Sequence, residues 1–524
     1  MKKIKNPILR GFYPDPSILR VGSDYYLATS TFEWFPGVTL LHSRDLENWE
    51  TIEPPLSDDS VLDLRGIDTS CGIWAPNLSY SNGIYYLLYT IVYTDRSRFK
   101  DTHNFLITAS DIHGPWSKPV YLNCSGFDPS LFHDDDGKMW LVNMTIDQRA
   151  YRKRFGGVVL QEYSHEKRGL TGPVYKVFEG TQLGKTEGPN LYKHNGFYYL
   201  LCAEGGTEFG HCCTVARSKT IFGPYEVHPQ NPILSSKGAE NYPIQRAGHG
   251  SLVETEDHRW LMFHLCSRPL DGYSILGRET AVQNIEWTND GWFYIPGAEN
   301  KLPLTEFKVP DLPVFSVQDP PVREDFDGPK LPRAFLTLRE SAQSCGISLT
   351  ERKGYVRIRG GNSLCSKYRQ GLLARRLQSL HCTIGTSVEF TPRSFHHMAG
   401  LVCYYNYDNY HYAKISYDET AGKSVSITSV DNRTITETEP VPVPEDGPVY
   451  LRAAIDGAAL QFSYSVDGEQ YQKLGPVLNM RVLSDEHVDG NGFTGAMVGI
   501  CCQDLRGDGV FSDFDWFDYQ QADS

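Results

Sequence analysis

The chain of 524 residues carries 50 Lys and Arg against 64 Asp and Glu, a formal net charge of −14. That balance argues against a nucleic-acid or anionic-membrane partner, both of which need clustered cations, and 40% hydrophobic residues exclude a disordered chain. Aromatic side chains make up 12%, beside 47 Gly and 31 Pro, a mixture that favours short strands and many turns over helices.

The basic start Met1-Lys2-Lys3-Ile4-Lys5 is interrupted at once by Asn6-Pro7, with no apolar run of the length a signal peptide needs. The expectation is therefore a cytoplasmic protein without a signal peptide. Twelve cysteines include the adjacent pairs Cys212-Cys213 and Cys501-Cys502 but no Cys-x-x-Cys, so they read as free thiols and not as a disulfide framework or zinc site.

Five segments of the first 300 residues then read alike: Asp15-Pro16-Ser17, Ala75-Pro76-Asn77, Asp128-Pro129-Ser130, Gly188-Pro189-Asn190 and His249-Gly250-Ser251. Their third positions are spaced by 60, 53, 60 and 61 residues. Each is followed by a turn and an aromatic strand, as in Asn82-Gly83-Ile84-Tyr85-Tyr86 and Asn195-Gly196-Phe197-Tyr198-Tyr199. Asn-Gly and Asp-Gly between apolar runs signal hairpins, because a type I′ turn needs φ > 0 twice. Five all-β units of near-constant length predict a five-bladed β-propeller over residues 1–305. Asp134-Asp135-Asp136-Gly137 reads as one of its hairpin turns and not as a calcium loop, which would need a different spacing and a terminal Glu.

Pro303, Pro310, Pro313, Pro320 and Pro321 mark residues 306–324 as a linker. From 325 to 524 apolar and polar residues alternate over short runs such as Tyr355-Val356-Arg357-Ile358-Arg359, which predicts a β-sandwich of the lectin-like, concanavalin type.

Radial symmetry brings the residues just before the repeated Pro or Gly together on the propeller axis: Asp15, Ala75, Asp128, Glu187 with Gly188, and His249. An isolated Asp before Pro is ordinarily a turn residue, but three acids in register suit a functional site. Glycoside hydrolysis needs one carboxylic acid to protonate the leaving oxygen and one carboxylate to activate water or attack carbon. A third acid raises the pKa of the donor, since like charges resist ionising together. Phe32, Trp34 and Trp74 lie close to the repeat positions and offer flat faces for a sugar, although packing between blades is their competing use. Arg278 could bond sugar hydroxyls through its fork of donors or simply pair with Glu279 on the surface.

Tyr13-Pro14-Asp15-Pro16-Ser17, Thr31-Phe32-Glu33-Trp34-Phe35-Pro36-Gly37, Trp74-Ala75-Pro76, Gly126-Phe127-Asp128-Pro129-Ser130, Thr186-Glu187-Gly188-Pro189 and Gly248-His249-Gly250-Ser251 together resemble glycoside hydrolase family 43. Leu276-Gly277-Arg278-Glu279-Thr280-Ala281, with Phe326-Asp327-Gly328-Pro329 further on, resembles its β-xylosidase branch. The resemblance implies an exo-acting enzyme that releases xylose from non-reducing ends of β-1,4-xylo-oligosaccharides with inversion. By motif, Asp15 would be the general base, Glu187 the general acid and Asp128 the residue that tunes Glu187. Arg278 would hold the terminal sugar, and His249 would floor the pocket. No cofactor is required, although some relatives bind a calcium ion near the position of His249. A sandwich loop around Phe493, or alternatively Phe511, would close the pocket, and relatives assemble as dimers or tetramers. An α-L-arabinofuranosidase, alone or as a second activity, is the alternative within enzymes. A non-catalytic sugar-binding propeller or an interaction scaffold is the alternative outside them.

Overall fold

The computed structural model describes residues 2–95, 97–309, 312–318, 320–490 and 492–522. Five antiparallel sheets, each built on a path of four strands, follow one another along the first 300 residues. Their innermost strands are Ser17–Val21, Gly72–Ser81, Ser130–His133, Glu187–His194 and Gln245–Glu254. Each packs against the next, and the fifth returns to the first. That closed ring is a five-bladed propeller.

The repeated Ser/Asn position accounts for much of the closure. Ser17 Oγ accepts from the Leu78 N–H of blade 2, and Asn77 Oδ1 accepts from the Leu131 N–H of blade 3. Ser130 Oγ donates to the Pro189 carbonyl of blade 4, and Ser251 Oγ accepts from the Ile18 N–H of blade 1. Between blades 4 and 5 the Tyr192 hydroxyl takes over, accepting from Leu252 N–H. Each bond satisfies a main-chain group that would otherwise be buried without a partner.

The hairpin turns are more varied than the sequence suggests. Asn82-Gly83 and Asn195-Gly196 both have two positive φ values, as a type I′ turn demands. In the Asp134–Gly137 turn only Gly137 is left-handed, within a longer loop closed by Asp134 N–H to Lys138 O at 2.9 Å. The stretch expected to be a linker begins with a strand. Glu306–Val309 pairs with Lys2–Lys5, burying Ile4, Phe307 and Val309 and joining the two ends of the propeller. The flanking prolines conceal that short alternation.

The second half forms two large antiparallel sheets packed face to face. One strand of the second sheet comes from the propeller. Trp34–Phe35, in the first blade, pairs with Phe335–Leu338 at the edge of the sandwich. Around this junction Trp34, Leu338, Leu372, Tyr404 and Met497 share one buried apolar cluster with the propeller's Ile73, Trp74 and Tyr89. A continuous apolar core of this kind fastens the two halves together, unlike the polar contacts common between domains.

Candidate active site

The five ring positions share one backbone conformation. Asp15, Ala75, Asp128, Gly188 and His249 have φ of 54°, 36°, 55°, 57° and 52°. Side-chain-bearing residues rarely adopt this region, at a cost of about 1–2 kcal/mol each. The strand ladder slips at the same place, between Trp74 and Asn77, Glu187 and Asn190, and Gly248 and Gly250. Bulges of this type re-aim side chains beside active sites. Blade 4 departs from its neighbours because a Cβ at Gly188 would stand 3.0 Å from the His249 ring. Its acid therefore comes one residue earlier, as Glu187.

Asp15, Asp128 and Glu187 meet in a small cavity of about 80 Å³. Phe32, Trp74, His249, Arg278 and Phe493 line it as well. The first two acids are 5% and 7% exposed, whereas Glu187 is less deeply covered. A wider cavity of about 320 Å³ lies where the blade-fastening residues Ser17, Asn77, Ser130 and Ser251 gather. Glu254 is the one carboxylate lining it, so it offers no acid–base pair.

The environments of the three acids differ. Burial pushes Asp15 up, but the Arg278 guanidinium and the Ser30 hydroxyl hold it below the usual carboxylate range. Arg278 Nη1 lies 3.0 Å from Asp15 Oδ1, and Ser30 Oγ donates to Oδ2 at 2.6 Å. Ser30 Oγ also accepts from the Ala75 N–H, which fixes its proton on Asp15. Burial, with Glu187 and Asp15 close by, pushes Asp128 well up, against the pull of a Gly188 N–H bond of 2.8 Å. Burial also raises Glu187 to about 7, with Asp15 adding to the shift and Lys100 and Arg278 opposing it. One carboxylate held ionised opposite one kept protonated is the division of labour acid–base catalysis needs.

Arg278 is the hub of the pocket. Its Nη1 also donates to Thr207 Oγ1 at 3.3 Å, while Nη2 and Nε reach the Phe493 carbonyl at 2.9 and 3.2 Å. Most of its five N–H groups are thus committed to protein, leaving little of the fork for a sugar. The Trp74 and Phe493 rings stand edge to face with centroids 5.5 Å apart, and Trp74 meets Phe127 in the same way at 5.5 Å. Lys100 Nζ lies 4.7 Å from the Trp74 centroid.

Residues 4–293 match the family model described as glycosyl hydrolases family 43, and residues 323–520 match one described as a beta xylosidase C-terminal concanavalin A-like domain. The chain belongs to glycosyl hydrolase family 43. A protein named beta-xylosidase from Bacillus subtilis is 43% identical over 99% of this chain and 100% of its own. A xylosidase/arabinosidase 43B from Humicola insolens is 44% identical over 99% and 98%. A xylan 1,3-beta-xylosidase from a Vibrio species is 43% identical over 98% and 99%. The solved structure of a xylan beta-1,4-xylosidase from Bacillus halodurans C-125 superposes with a TM-score of 0.97 at 49% identity, covering 99% of this chain and 100% of that one.

Within this family 43 hydrolase one expected sugar contact is elsewhere. Trp34 is 0% exposed and packs edge-on against Tyr404 of the sandwich, with centroids 6.0 Å apart. Its strand pairing with Phe335–Leu338 carries it into the interdomain core, away from the cavity. Phe511 is 42% exposed beneath Arg357, so of the two expected closing residues it is Phe493 that lines the pocket.

The cavity also includes Lys100, Phe127, Thr207, His211 and Leu265, none of them singled out from the sequence. Phe127 was findable, since it precedes Asp128 as Trp74 precedes Ala75. Lys100 and Thr207 sit on irregular connections where no repeat points to them. His211 is fully buried, and burial presses its pKa down to about 3. Nδ1 lies 2.8 Å from the Gly206 carbonyl, which sets the proton there on a neutral ring.

The hydrolase's residues do not fit a calcium ion at His249. Calcium takes six to eight oxygen ligands. Here His249 has the imidazole of His211 and the backbone of Gly188 for neighbours, and Asp15 is already held by Arg278 and Ser30. Among the described residues no group of three His, Cys, Asp or Glu is arranged to hold a metal.

Proposed function

We propose that this family 43 hydrolase removes D-xylose from the non-reducing ends of β-1,4-xylo-oligosaccharides with inversion. The observation that carries this reading is the opposed pair in one cavity, with Asp15 held ionised by Arg278 and Ser30 and Glu187 raised to about 7. Asp15 takes a proton from water as the water oxygen attacks the anomeric carbon. Glu187 gives its proton to the glycosidic oxygen as that bond breaks. Proton exchange with solvent then restores both groups. Asp128 tunes and orients Glu187 through the Gly188 backbone. His249, kept neutral by burial, bonds the terminal sugar, and Phe32 and Trp74 stack on it.

Exo action is supported by the small cavity and by the Phe493 roof locked to Arg278. No metal is assigned a part, in keeping with the donor set around His249. Twelve free cysteines, ten of them buried, support a reducing cytoplasmic setting.

Proton NMR of xylotriose hydrolysis tests the proposal. The expected course is release of terminal xylose with the α-anomer appearing first. Initial β-xylose would overturn inversion, and cleavage within the chain would overturn exo action. A second activity on α-L-arabinofuranosides is favoured by the Humicola relative, whose name joins both activities. Rates on the two 4-nitrophenyl glycosides separate the single from the dual specificity.

A further inference from the structure

Three residues before His249, on the same innermost strand, Arg246 also bends left-handed at φ 54°. It is 4% exposed, and its guanidinium crosses the seam between propeller and sandwich. Nη1 donates to Asp485 Oδ2 at 2.8 Å, and Nη2 lies 2.6 Å from Glu486 Oε1. Both carboxylates are held from other sides. The Tyr405 hydroxyl donates to Asp485 Oδ1 at 2.5 Å, and the Ser274 N–H and hydroxyl donate to Glu486 at 2.7 and 2.9 Å.

Asp485 is in turn the seat of the closing loop. A Cβ at Gly492 would stand 2.6 Å from Asp485 Cα and 2.9 Å from the Tyr405 hydroxyl, so the chain entering Phe493 lies directly on Asp485. Two residues on, a Cβ at Gly495 would stand 2.6 Å from the Leu276 carbonyl, against the segment that carries Arg278. On its other side Arg246 lies 5.2 Å from the ring of Phe209, in the loop that carries Thr207. Arg246 therefore touches both loops whose oxygens, Thr207 Oγ1 and the Phe493 carbonyl, hold Arg278.

We propose that Arg246 is a positioning residue: by holding Asp485 and Glu486 it seats residues 492–495 on Asp485 so that Phe493 roofs the pocket and fixes Arg278 beside Asp15. Adhesion between the halves does not require it, because the apolar junction around Trp34 and the strand pairing at Phe335–Leu338 supply that already. A buried ion pair adds little net stability of its own. What this one adds is a defined seat for the loop. Only the kinetic arm of the test rests on the xylosidase reading.

The test compares full-length Arg246→Met, Arg246→Lys and the double variant Arg246→Met/Asp485→Asn with wild type, by xylobiose kinetics and by amide hydrogen exchange over residues 484–496. Arg246→Met is expected to raise KM about tenfold, with a smaller loss in kcat, since a shift of a supporting group far from the chemistry is felt in substrate placement. The Phe493 and Ala496 amides, bonded to Ser70 Oγ and the Ile275 carbonyl, should exchange faster. Arg246→Lys, which keeps the charge, should recover part of both effects. Wild-type KM with wild-type protection in folded Arg246→Met would overturn the proposal. If that variant does not fold, the double variant, which leaves no stranded Asp485 charge, and the Lys variant decide by the same criteria. A wild-type enzyme inactive on every xyloside would sink the functional reading, while the exchange arm would still decide the seating of the loop.

Discussion

The backbone N–H of Gly188 donates to Asp128 Oδ2 at 2.8 Å, a bond between neighbouring blades placed one residue from Glu187. A main-chain donor favours the ionised form of its acceptor. It therefore works against the burial that pushes Asp128 up, and it ties that carboxyl to the backbone beside Glu187.

The opposed shifts of Glu187 and Asp15 set the pH profile of kcat/KM. A general acid must be protonated, so activity is expected to fall as pH rises through about 7, where Glu187 ionises. A general base must be ionised, and Asp15 is held below the usual carboxylate range, so the acid limb should lie under the ordinary Asp value of about 3.9. An alkaline limb near an ordinary Glu value of about 4.3 would remove Glu187 from the acid role.

Asp128→Asn should separate tuning from catalysis. Glu187 and Asp128 resist ionising together, so removing the Asp128 carboxyl takes that coupling away and the alkaline limb should move to lower pH. The rate at the optimum should fall by about a hundredfold as the acid loses tuning and orientation. A slower enzyme with its alkaline limb unmoved would show that Asp128 acts by orientation alone.

The propeller and its ring of acids were legible because a fivefold repeat writes one structural position five times. Asp15, Asp128 and His249 mark the left-handed bend directly, and Glu187 could be placed through its neighbour Gly188. What was hidden depends on contacts without period. Arg246 and Asp485 are 239 positions apart, and nothing local in either segment announces the other. Trp34 misleads for a related reason: it is two residues from Phe32, yet it pairs with a strand 300 positions onward. Sequence proximity to a site says little where a chain crosses from one domain to the next.

Phe32 and Trp34 should accordingly respond in different measurements. Trp34→Ala opens a cavity in the junction and should cost about 3–5 kcal/mol in urea unfolding with KM little changed. Phe32→Ala removes a wall of the pocket and should raise KM for xylobiose roughly tenfold, the worth of a stacked aromatic contact of about 1.4 kcal/mol. A tenfold KM change from Trp34→Ala in a folded enzyme would mean that the junction, and not the pocket wall, sets sugar binding.

Arg278→Lys probes the charge that keeps Asp15 ionised. A lysine cannot reach Asp15, Thr207 and the Phe493 carbonyl together, because the planar fork that spans them is lost. With the cation displaced, burial dominates at Asp15 and its pKa should rise, moving the acid limb of kcat/KM to higher pH. Activity at the optimum should drop by about a hundredfold.

Glu187→Ala should discriminate by leaving group. Xylobiose departs as a sugar alkoxide and needs a proton from the enzyme, whereas 4-nitrophenolate leaves with little help. The variant is therefore expected to lose about a thousandfold or more in kcat/KM on xylobiose and far less on 4-nitrophenyl β-D-xyloside, and to lose the alkaline limb on the aryl substrate. Because Asp15 keeps Arg278 and Ser30 in this variant, water activation persists and the residual aryl activity should retain the acid limb. Equal losses on both substrates would place Glu187 outside the proton path and leave Asp128, the other raised carboxyl in the cavity, as the donor.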